Sequence, residues 1–294
     1  MDQLRKSIEK LLSDNTSGSG ELLHSLIQSL NQLASRRGKD VPIDAGIIRE
    51  QLLRIQEEKP VFLVLQHFTG RFLEETGKNR ALTAENISRF LSDYTTRWSN
   101  VTESIWNRLQ QVADLSGRTV LLHSNSSTIY GIFREAAAHS IPIKIIQTES
   151  RPVMEGRLQA SRLAELGFNV TLITDAGISR HMEQADLSIL GADAVYPQQF
   201  INKTGSRSIA LACREYGKPC LVACDSRKLW LNQEAGTGID DFDIPAPACE
   251  LWDDPPGKLN IENFYFEQIP NLLVSRFVFE DEIIEGNKIE DIVR

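Results

Sequence analysis

The apolar positions of the chain follow two different periods, and the change comes near residue 117. Before it, leucines, isoleucines and aromatic residues recur every three or four positions, which is typical of one face of an amphipathic helix. After it, short apolar runs alternate with helical stretches of about ten residues. This pattern predicts an α/β protein, with an N-terminal helical domain over residues 1–116 and a Rossmann-like parallel-sheet domain over residues 117–294.

Polar and glycine-rich segments separate the helical stripes of the first half. The segment that follows Pro60 is apolar on nearly every side, which predicts the buried helix of this half. The longest stripe begins at Thr83-x-x-Asn86, a sequence typical of a helix N-terminus, and continues through Val112 before Gly117 ends it. We therefore expect one long helix to close the helical domain.

Five short β runs follow in the second half. They are Thr119–Leu122, Ile143–Ile146, Val170–Ile173, Leu187–Leu190 and Leu221–Ala223. Strands that alternate with helices predict right-handed βαβ units. No GxGxxG motif follows the first run, so a dinucleotide is not implied. Residues 231–257 resemble an acidic, proline-rich loop, and Phe277–Phe279 resembles a late strand.

Composition narrows the class of protein. The net charge of −8 argues against a general nucleic-acid binder, although it leaves room for a locally basic pocket. No apolar run approaches the roughly 20 residues that span a membrane, and the charged N-terminus does not resemble a signal peptide. The four cysteines form no CxxC pair and have no histidine at metal-ligand spacing, which favours reduced thiols in a cytoplasmic protein without a metal site.

Polar residues follow each predicted strand. His123–Ser127 follows the first, Gln147–Pro152 the second and Gly191–Asp193 the fourth. Because the carboxyl ends of parallel strands meet at one edge, a ligand is expected there. Many of these serines and aspartates are equally expected as helix caps, Ser127 and Asp225 above all. Arg151 and Asp193 fit a cap less well: Arg151 precedes a proline, and small residues beside Asp193 allow a ligand to approach closely.

Ten residues after Asp193, Asn202 and Lys203 offer an amide and an ammonium just before the next helical pattern. An acid, a cation and a helix N-terminus at one edge predict a site for a phosphorylated molecule. The alternative for Lys203 is a solvated surface lysine. For His123 and His181 a structural role is expected rather than that of a catalytic base.

Five motifs in order carry a resemblance to a known superfamily. HSNSS, TESRP, ITDAGI, GADAV and INKTG resemble the corresponding loops of the regulatory α, β and δ subunits of translation initiation factor 2B, methylthioribose-1-phosphate isomerase and ribose-1,5-bisphosphate isomerase. The likeness covers roughly residues 119–225 and is looser elsewhere. It implies a ligand that is a sugar phosphate or nucleotide monophosphate, no cofactor, and a homodimer formed through the Rossmann-like half, with hexamers among some members.

The isomerases convert an aldose 1-phosphate to a ketose 1-phosphate, an intramolecular oxidoreduction, with a cysteine in the first loop and the aspartate of the GAD motif. By resemblance Asp193 is that aspartate, whereas Ser124 stands at the cysteine position. An alkanol is a far weaker acid than a thiol, whose pKa is near 8.5. The residues expected at the substrate or phosphate are Asn125, Ser126, Arg151, Arg157, Asn202 and Lys203.

A second departure lies in the helical half. The isomerases have an Arg-Gly helix start that helps to bind phosphate, and the comparable place here is Ser17–Gly20, which is more similar to the initiation-factor subunits. Two functions therefore remain open. One is a sugar-phosphate isomerase, or a lapsed isomerase that still binds its ligand; the other is a non-catalytic regulatory subunit. The aromatic residues Phe264–Phe266 fit either a subunit interface or an intramolecular role.

Overall fold

A computed structural model describes residues 1–36, 41–77, 82–230 and 244–292. The chain divides into two compact units, Met1–Val101 and Thr102–Arg294. The sequence boundary between residues 116 and 117 instead marks the change of period, at the start of the first strand. The first thirteen residues of the predicted loop over 231–257 lie outside the described ranges.

The first unit is helical. Its helices are α1 (Asp2–Ser13), α2 (Ser19–Ser35), α3 (Ala45–Glu58), α4 (Leu63–Gly77) and α5 (Ala84–Arg97). The sequence predicts α4 as a buried helix, and its buried residues all lie between Leu63 and Phe72, whereas its last turn is partly exposed. Its Phe68 packs edge-to-face on Tyr94 of α5, with ring centroids 4.9 Å apart. Aromatic pairs in this geometry stabilise a core beyond their buried area.

The prediction of one long helix after Thr83 is wrong. Thr83 does cap α5 in a capping box with Asn86, but the helix ends at Arg97, and α6 (Val101–Val112) begins after a turn. In this turn the Ser99 hydroxyl donates to the Thr96 carbonyl at 2.9 Å. Such a local side-chain bond competes with the helical backbone pattern, and the apolar period alone does not reveal it.

The second unit holds a seven-stranded sheet in the order β10-β9-β7-β4-β1-β2-β3. Its elements after α6 are β1 (Thr119–Leu122), α7 (Ser127–Ala138), β2 (Lys144–Thr148), α8 (Gly156–Glu165), β3 (Asn169–Ile173), α9 (Ile178–Met182), β4 (Leu187–Leu190), β5 (Ala194–Val195), β6 (Gln199–Lys203), α10 (Ser206–Glu215), β7 (Cys220–Ala223), β8 (Phe266–Pro270), β9 (Arg276–Val278) and β10 (Ile283–Glu285). All five predicted β runs are strands of this sheet, and the predicted α/β class is confirmed.

A second sheet was not predicted. Strands β5, β6 and β8 form it, with β6 antiparallel to both neighbours. Asn202 and Lys203, expected just before a helix, do precede α10, and they are the last residues of β6, opposite Glu267 and Phe266 of β8. The β5 run is two residues long, too short for a periodic signal.

The sheet order places the loops that matter. β1 lies between β4 and β2 and is parallel to both, so the direction of strand progression reverses beside β1. In open α/β sheets ligands bind outside the carboxyl ends of the strands at such a switch point. The loops after β1, β2 and β4 therefore meet there. None of the helices in the described ranges is long and apolar enough to cross a membrane.

Candidate functional site

The loop after β1 is held in a strained conformation at Ser124. Its φ of 63° lies in the left-handed region, and Ser150 in the loop after β2 has the same φ. The two are linked, because the Ser124 backbone N–H donates to Ser150 Oγ at 2.8 Å, and Gln147 Nε2 donates to the Ser124 carbonyl at 3.2 Å. Non-glycine residues in this region cost of order 1–3 kcal/mol and persist where the surroundings fix them, often at functional sites.

The Ser124 hydroxyl belongs to a buried cluster with Glu155 and Lys203. It donates to Glu155 Oε1 at 2.9 Å, and Lys203 Nζ lies 3.1 Å from the same oxygen. The side chains of Lys203 and Glu155 are only 6% and 5% exposed. Burial raises the pKa of the Glu155 carboxyl, and the Lys203 ammonium opposes that rise. A carboxyl, an ammonium and a hydroxyl therefore contact one another at a position largely buried from solvent.

Lys203 is thus not a solvated lysine. Its ammonium also lies 4.9 Å from the ring centroid of Tyr265, a cation–π contact that strengthens when the cation is desolvated. The Tyr265 hydroxyl donates in turn to Glu250. Tyr265 therefore has an intramolecular role in the site, whereas its predicted role at a subunit interface stays a prediction.

His123 connects the loop after β1 to two others. Its Nε2–H donates to the Thr204 carbonyl at 2.9 Å, so its Nδ1 is left to accept from the Thr148 hydroxyl at 2.6 Å. Burial lowers the pKa of His123 to about 4, which keeps the ring neutral at pH 7. Gly205, with a φ of 110°, packs against this ring, and a Cβ there would lie 2.8 Å from His123 Cε1. His123 is a structural link, as expected.

The N-terminus of α10 already holds an anionic group. Glu267 Oε1 accepts from the backbone N–H groups of Gly205 at 2.7 Å and Arg207 at 2.9 Å. A carboxylate from β8 thereby occupies the position at which a helix N-terminus attracts a phosphate. Asn202, expected at the phosphate, donates from Nδ2 to Ser206 Oγ at 2.8 Å. It therefore supports the first turn of α10.

Asp193 follows β4 and is half-buried. Its backbone N–H donates to the Ile201 carbonyl at 2.9 Å, which fixes the loop against β6. The preceding Gly191 lies so close to Ser126 that a Cβ on the glycine would be 3.0 Å from the serine oxygen. This contact brings the loop of Asp193 to the loop of Ser124.

The remaining residues of the first loop have plain structural contacts. Ser126 caps α7 by accepting from the Ile129 N–H at 3.3 Å, and its own N–H donates to Gln159 Oε1 at 2.8 Å. The cap is thus one residue earlier than the expected Ser127. Asn125 is 5% exposed. The expectation for Asp225 is confirmed, since its side chain accepts from the Arg227 N–H at the start of a short 3₁₀ turn.

Arg151 and Arg157 do not join the buried cluster. Both side chains are exposed. Arg157 Nη2 lies 2.7 Å from Glu149 Oε2, and Arg151 Nη2 donates to the Glu250 carbonyl at 3.4 Å. The structure therefore separates the predicted cations into one buried lysine and two exposed arginines.

Sequence reasoning missed Glu155 and Glu267. Glu155 directly precedes α8, where an acidic residue is expected for the helix dipole alone, so nothing marks it as part of a site. Glu267 comes close to α10 only through the pairing of β8 with β6, which no local pattern encodes. In the described ranges, no group of three or more histidine, cysteine and acidic residues could hold a metal ion.

Comparison with known proteins agrees with this architecture. The sequence model of the initiation factor 2 subunit family matches residues 6–280. A relative named ribose 1,5-bisphosphate isomerase, from Methanocaldococcus jannaschii, is 24% identical over 97% of this chain and 92% of its own length.

Solved structures share the fold across nearly the whole chain. The structure titled translation initiation factor eIF-2B, from Pyrococcus horikoshii OT3, superposes with a TM-score of 0.78 at 22% identity, covering 97% of this chain and 98% of its own. The 5-methylthioribose 1-phosphate isomerase of the same organism gives a TM-score of 0.75 at 17% identity, covering 99% and 87%. The proteins that this chain is similar to in sequence or in fold thus carry names from all three groups of the resemblance.

Proposed function

This chain belongs to the initiation factor 2 subunit family, and we propose that it binds a phosphorylated sugar and isomerises an aldose 1-phosphate to a ketose 1-phosphate. The observation that carries the proposal is the buried cluster of Ser124, Glu155 and Lys203 at the carboxyl edge of the sheet. The names of similar proteins include both isomerases and initiation factors. The choice between the two functions therefore rests on the residues of the candidate site.

The cluster costs stability that a purely structural role does not explain. Removing an ammonium and a carboxylate from water costs several kcal/mol for each ion, which their mutual attraction only partly offsets. Ser124 adds backbone strain at the same place. Costly polar groups at a switch point of the sheet are typical of a ligand site. Lys203 is the cation that would meet the phosphate there.

The reaction defines what the side chains must do. In going from aldose 1-phosphate to ketose 1-phosphate, C2 loses the protons of its C–H and O–H bonds, while C1 and the ring oxygen each gain one. Two proton-exchanging groups are therefore needed. We propose that Asp193 removes the carbon-bound proton from C2, because an ionised carboxylate is a stronger base than the neutral hydroxyl of Ser124. Ser124 lies at the position of the second group.

The test is incubation of the purified protein with ribose 1,5-bisphosphate, methylthioribose 1-phosphate or AMP. We expect thermal stabilisation by a sugar phosphate and formation of a ketose product, with the product lost in Asp193→Asn while binding remains. Glu183→Asn, at an exposed position on the helix side of the same unit, is the matched control and should keep full activity. No stabilisation by any sugar phosphate would refute the ligand.

Two observations favour a second function, that of a non-catalytic regulatory subunit acting through protein interaction. Glu267 fills the N-terminus of α10, and Ser124 stands where the isomerases have a cysteine. Stabilisation by AMP or a sugar phosphate without any ketose product would support this function. A product that depends on Asp193 would exclude it.

A further inference from the structure

We infer that Glu155 acts through Ser124 as a proton relay, so that a hydroxyl and a carboxyl together replace the single thiol expected in the pocket. The inference rests on the proposed function, since it assigns a step of that reaction. Glu155 is a positioning and proton-storing residue in this scheme, and Ser124 is the group that touches the substrate.

The geometry has the contact between serine and carboxyl that a relay requires. Ser124 Oγ and Glu155 Oε1 are 2.9 Å apart in a direct hydrogen bond, within the range for proton transfer between positioned groups. The serine is fixed from both sides, by Ser150 Oγ on its N–H and by Gln147 on its carbonyl. These two bonds fix the backbone of Ser124, and the bond to Glu155 orients the hydroxyl itself.

Among the residues that the structure describes, the Glu155 carboxyl has an unpaired oxygen, which a buried carboxyl with a purely structural role would not be expected to leave without a hydrogen bond. Within the part of the chain that the structure describes, the buried Glu155 Oε2 has no hydrogen-bond partner, although buried polar atoms are almost always paired. A carboxyl with one idle oxygen retains capacity to take up a proton. Burial supports this, because it raises the pKa of Glu155 and so favours the protonated acid closer to neutral pH.

Other ionisable groups nearby do not offer an alternative store for this proton. Lys203 contacts the same carboxyl oxygen and holds it in place. His123 is kept neutral by its buried position, and both of its ring nitrogens are engaged by Thr148 and Thr204. Asp175 accepts from two backbone N–H groups of the loop after β2. Glu155 is the group in direct contact with the serine hydroxyl.

The proton and electron count closes with Asp193 ionised and with Glu155 protonated in the substrate complex, where the Lys203 ammonium pairs with the phosphate instead of with Glu155. Asp193 takes the C2 proton, and the C2–H electron pair forms a C1=C2 double bond. The bond between C1 and the ring oxygen breaks, and its electron pair stays on the ring oxygen. The ring oxygen receives the Ser124 proton while Glu155 replaces it. The C2 hydroxyl then returns a proton through Ser124 to Glu155, its O–H pair forms the C2=O bond, and C1 takes the proton from Asp193. Both side chains end as they began.

The experiment compares Glu155→Gln with either serine or cysteine at position 124. With serine, loss of the relay should lower kcat by about 10²-fold or more, the usual size of an acid–base contribution. With Ser124→Cys, the thiol exchanges its own proton, so the added Glu155→Gln change should cost less than about tenfold. The wild-type rate should also fall as pH rises through the Glu155 pKa, and this limb should be absent in both Ser124→Cys proteins. Thermal unfolding and sugar-phosphate binding of each variant are measured alongside.

An equal loss with serine and with cysteine would show that Glu155 acts on structure alone, and the inference would be wrong while the isomerase function stands. Binding without turnover in the wild type would also overturn it and leave a binding protein. Absence of sugar-phosphate binding in every protein would refute the proposed function itself, and the relay with it. A kcat loss confined to the serine background would support the relay.

Discussion

Lys203, at the end of β6, and Arg157, in the first turn of α8, are two cations expected at the same phosphate, yet their surroundings are opposite. The Lys203 side chain is 6% exposed and pairs with Glu155, whose side chain is 5% exposed. The Arg157 side chain is 56% exposed and pairs with Glu149, whose side chain is 17% exposed. Burial, which sequence position does not reveal, distinguishes the cation of the Ser124–Glu155–Lys203 cluster from the exposed one. An exposed ion pair contributes little to stability. In a buried ion pair, removing one partner leaves the other charge buried without compensation, which strongly destabilises the protein.

The largest expected effect comes from breaking the buried pair. Lys203→Met leaves Glu155 buried without its counter-ion and should lower the free energy of unfolding by about 3–5 kcal/mol. Arg157→Met is the matched control and should change it by less than about 1 kcal/mol, because the Arg157 side chain is 56% exposed and water screens its pairing with Glu149. Urea denaturation of both variants measures the contrast.

The double variant Lys203→Met/Glu155→Leu sharpens this prediction. Removing both charges should recover most of the loss, since the penalty arises from the stranded carboxylate rather than from the missing lysine. If the double variant is as unstable as Lys203→Met, the loss reflects the contact of the Lys203 ammonium with the Tyr265 ring. Equal effects of Lys203→Met and Arg157→Met would contradict the contrast between the two cations.

The contrast also shows how far the sequence reaches. The strand runs and the polar residues after them were predictable, because period and turn chemistry are local. Glu155 and Glu267 were not, since their partners lie 31 and 62 positions away in the chain. The motif order identified Asp193, Asn202 and Lys203 as one set, but only the packed structure shows that carboxylates already hold the cation and the helix N-terminus.

The second prediction concerns the buried histidine His123. Because the pKa of His123 is about 4 in the folded protein and near 6.5 when unfolded, the unfolded chain binds the proton more readily. The contribution of a neutral His123 to stability is therefore complete above about pH 6.5 and is lost as pH falls toward 4, by about 3 kcal/mol.

His123→Asn should be less stable at pH 7 but should lose this part of the pH dependence. His139→Asn, at an exposed position, should keep the wild-type dependence. Unfolding free energies measured between pH 4 and pH 7 test both. A wild-type slope that survives His123→Asn would assign the dependence to other groups.

The smallest effect concerns the anion position at α10. A phosphate that approaches Gly205 and Arg207 meets the Glu267 carboxylate, which already accepts from both N–H groups. Glu267→Gln retains the shape but removes the negative charge, so repulsion falls. Inorganic phosphate should then bind about tenfold more tightly, equivalent to about 1.4 kcal/mol, as measured by calorimetry at low ionic strength.

Glu262→Gln, an exposed change in the segment just before β8, tests whether a general loss of negative charge explains any gain. It should leave phosphate binding unchanged, because exposed charges at a distance are screened by salt. Equal affinities in the wild type and in Glu267→Gln would mean that phosphate does not approach α10. The buried Lys203 would then be the cation that a phosphorylated ligand meets, and the contrast between buried and exposed cations would extend from stability to binding.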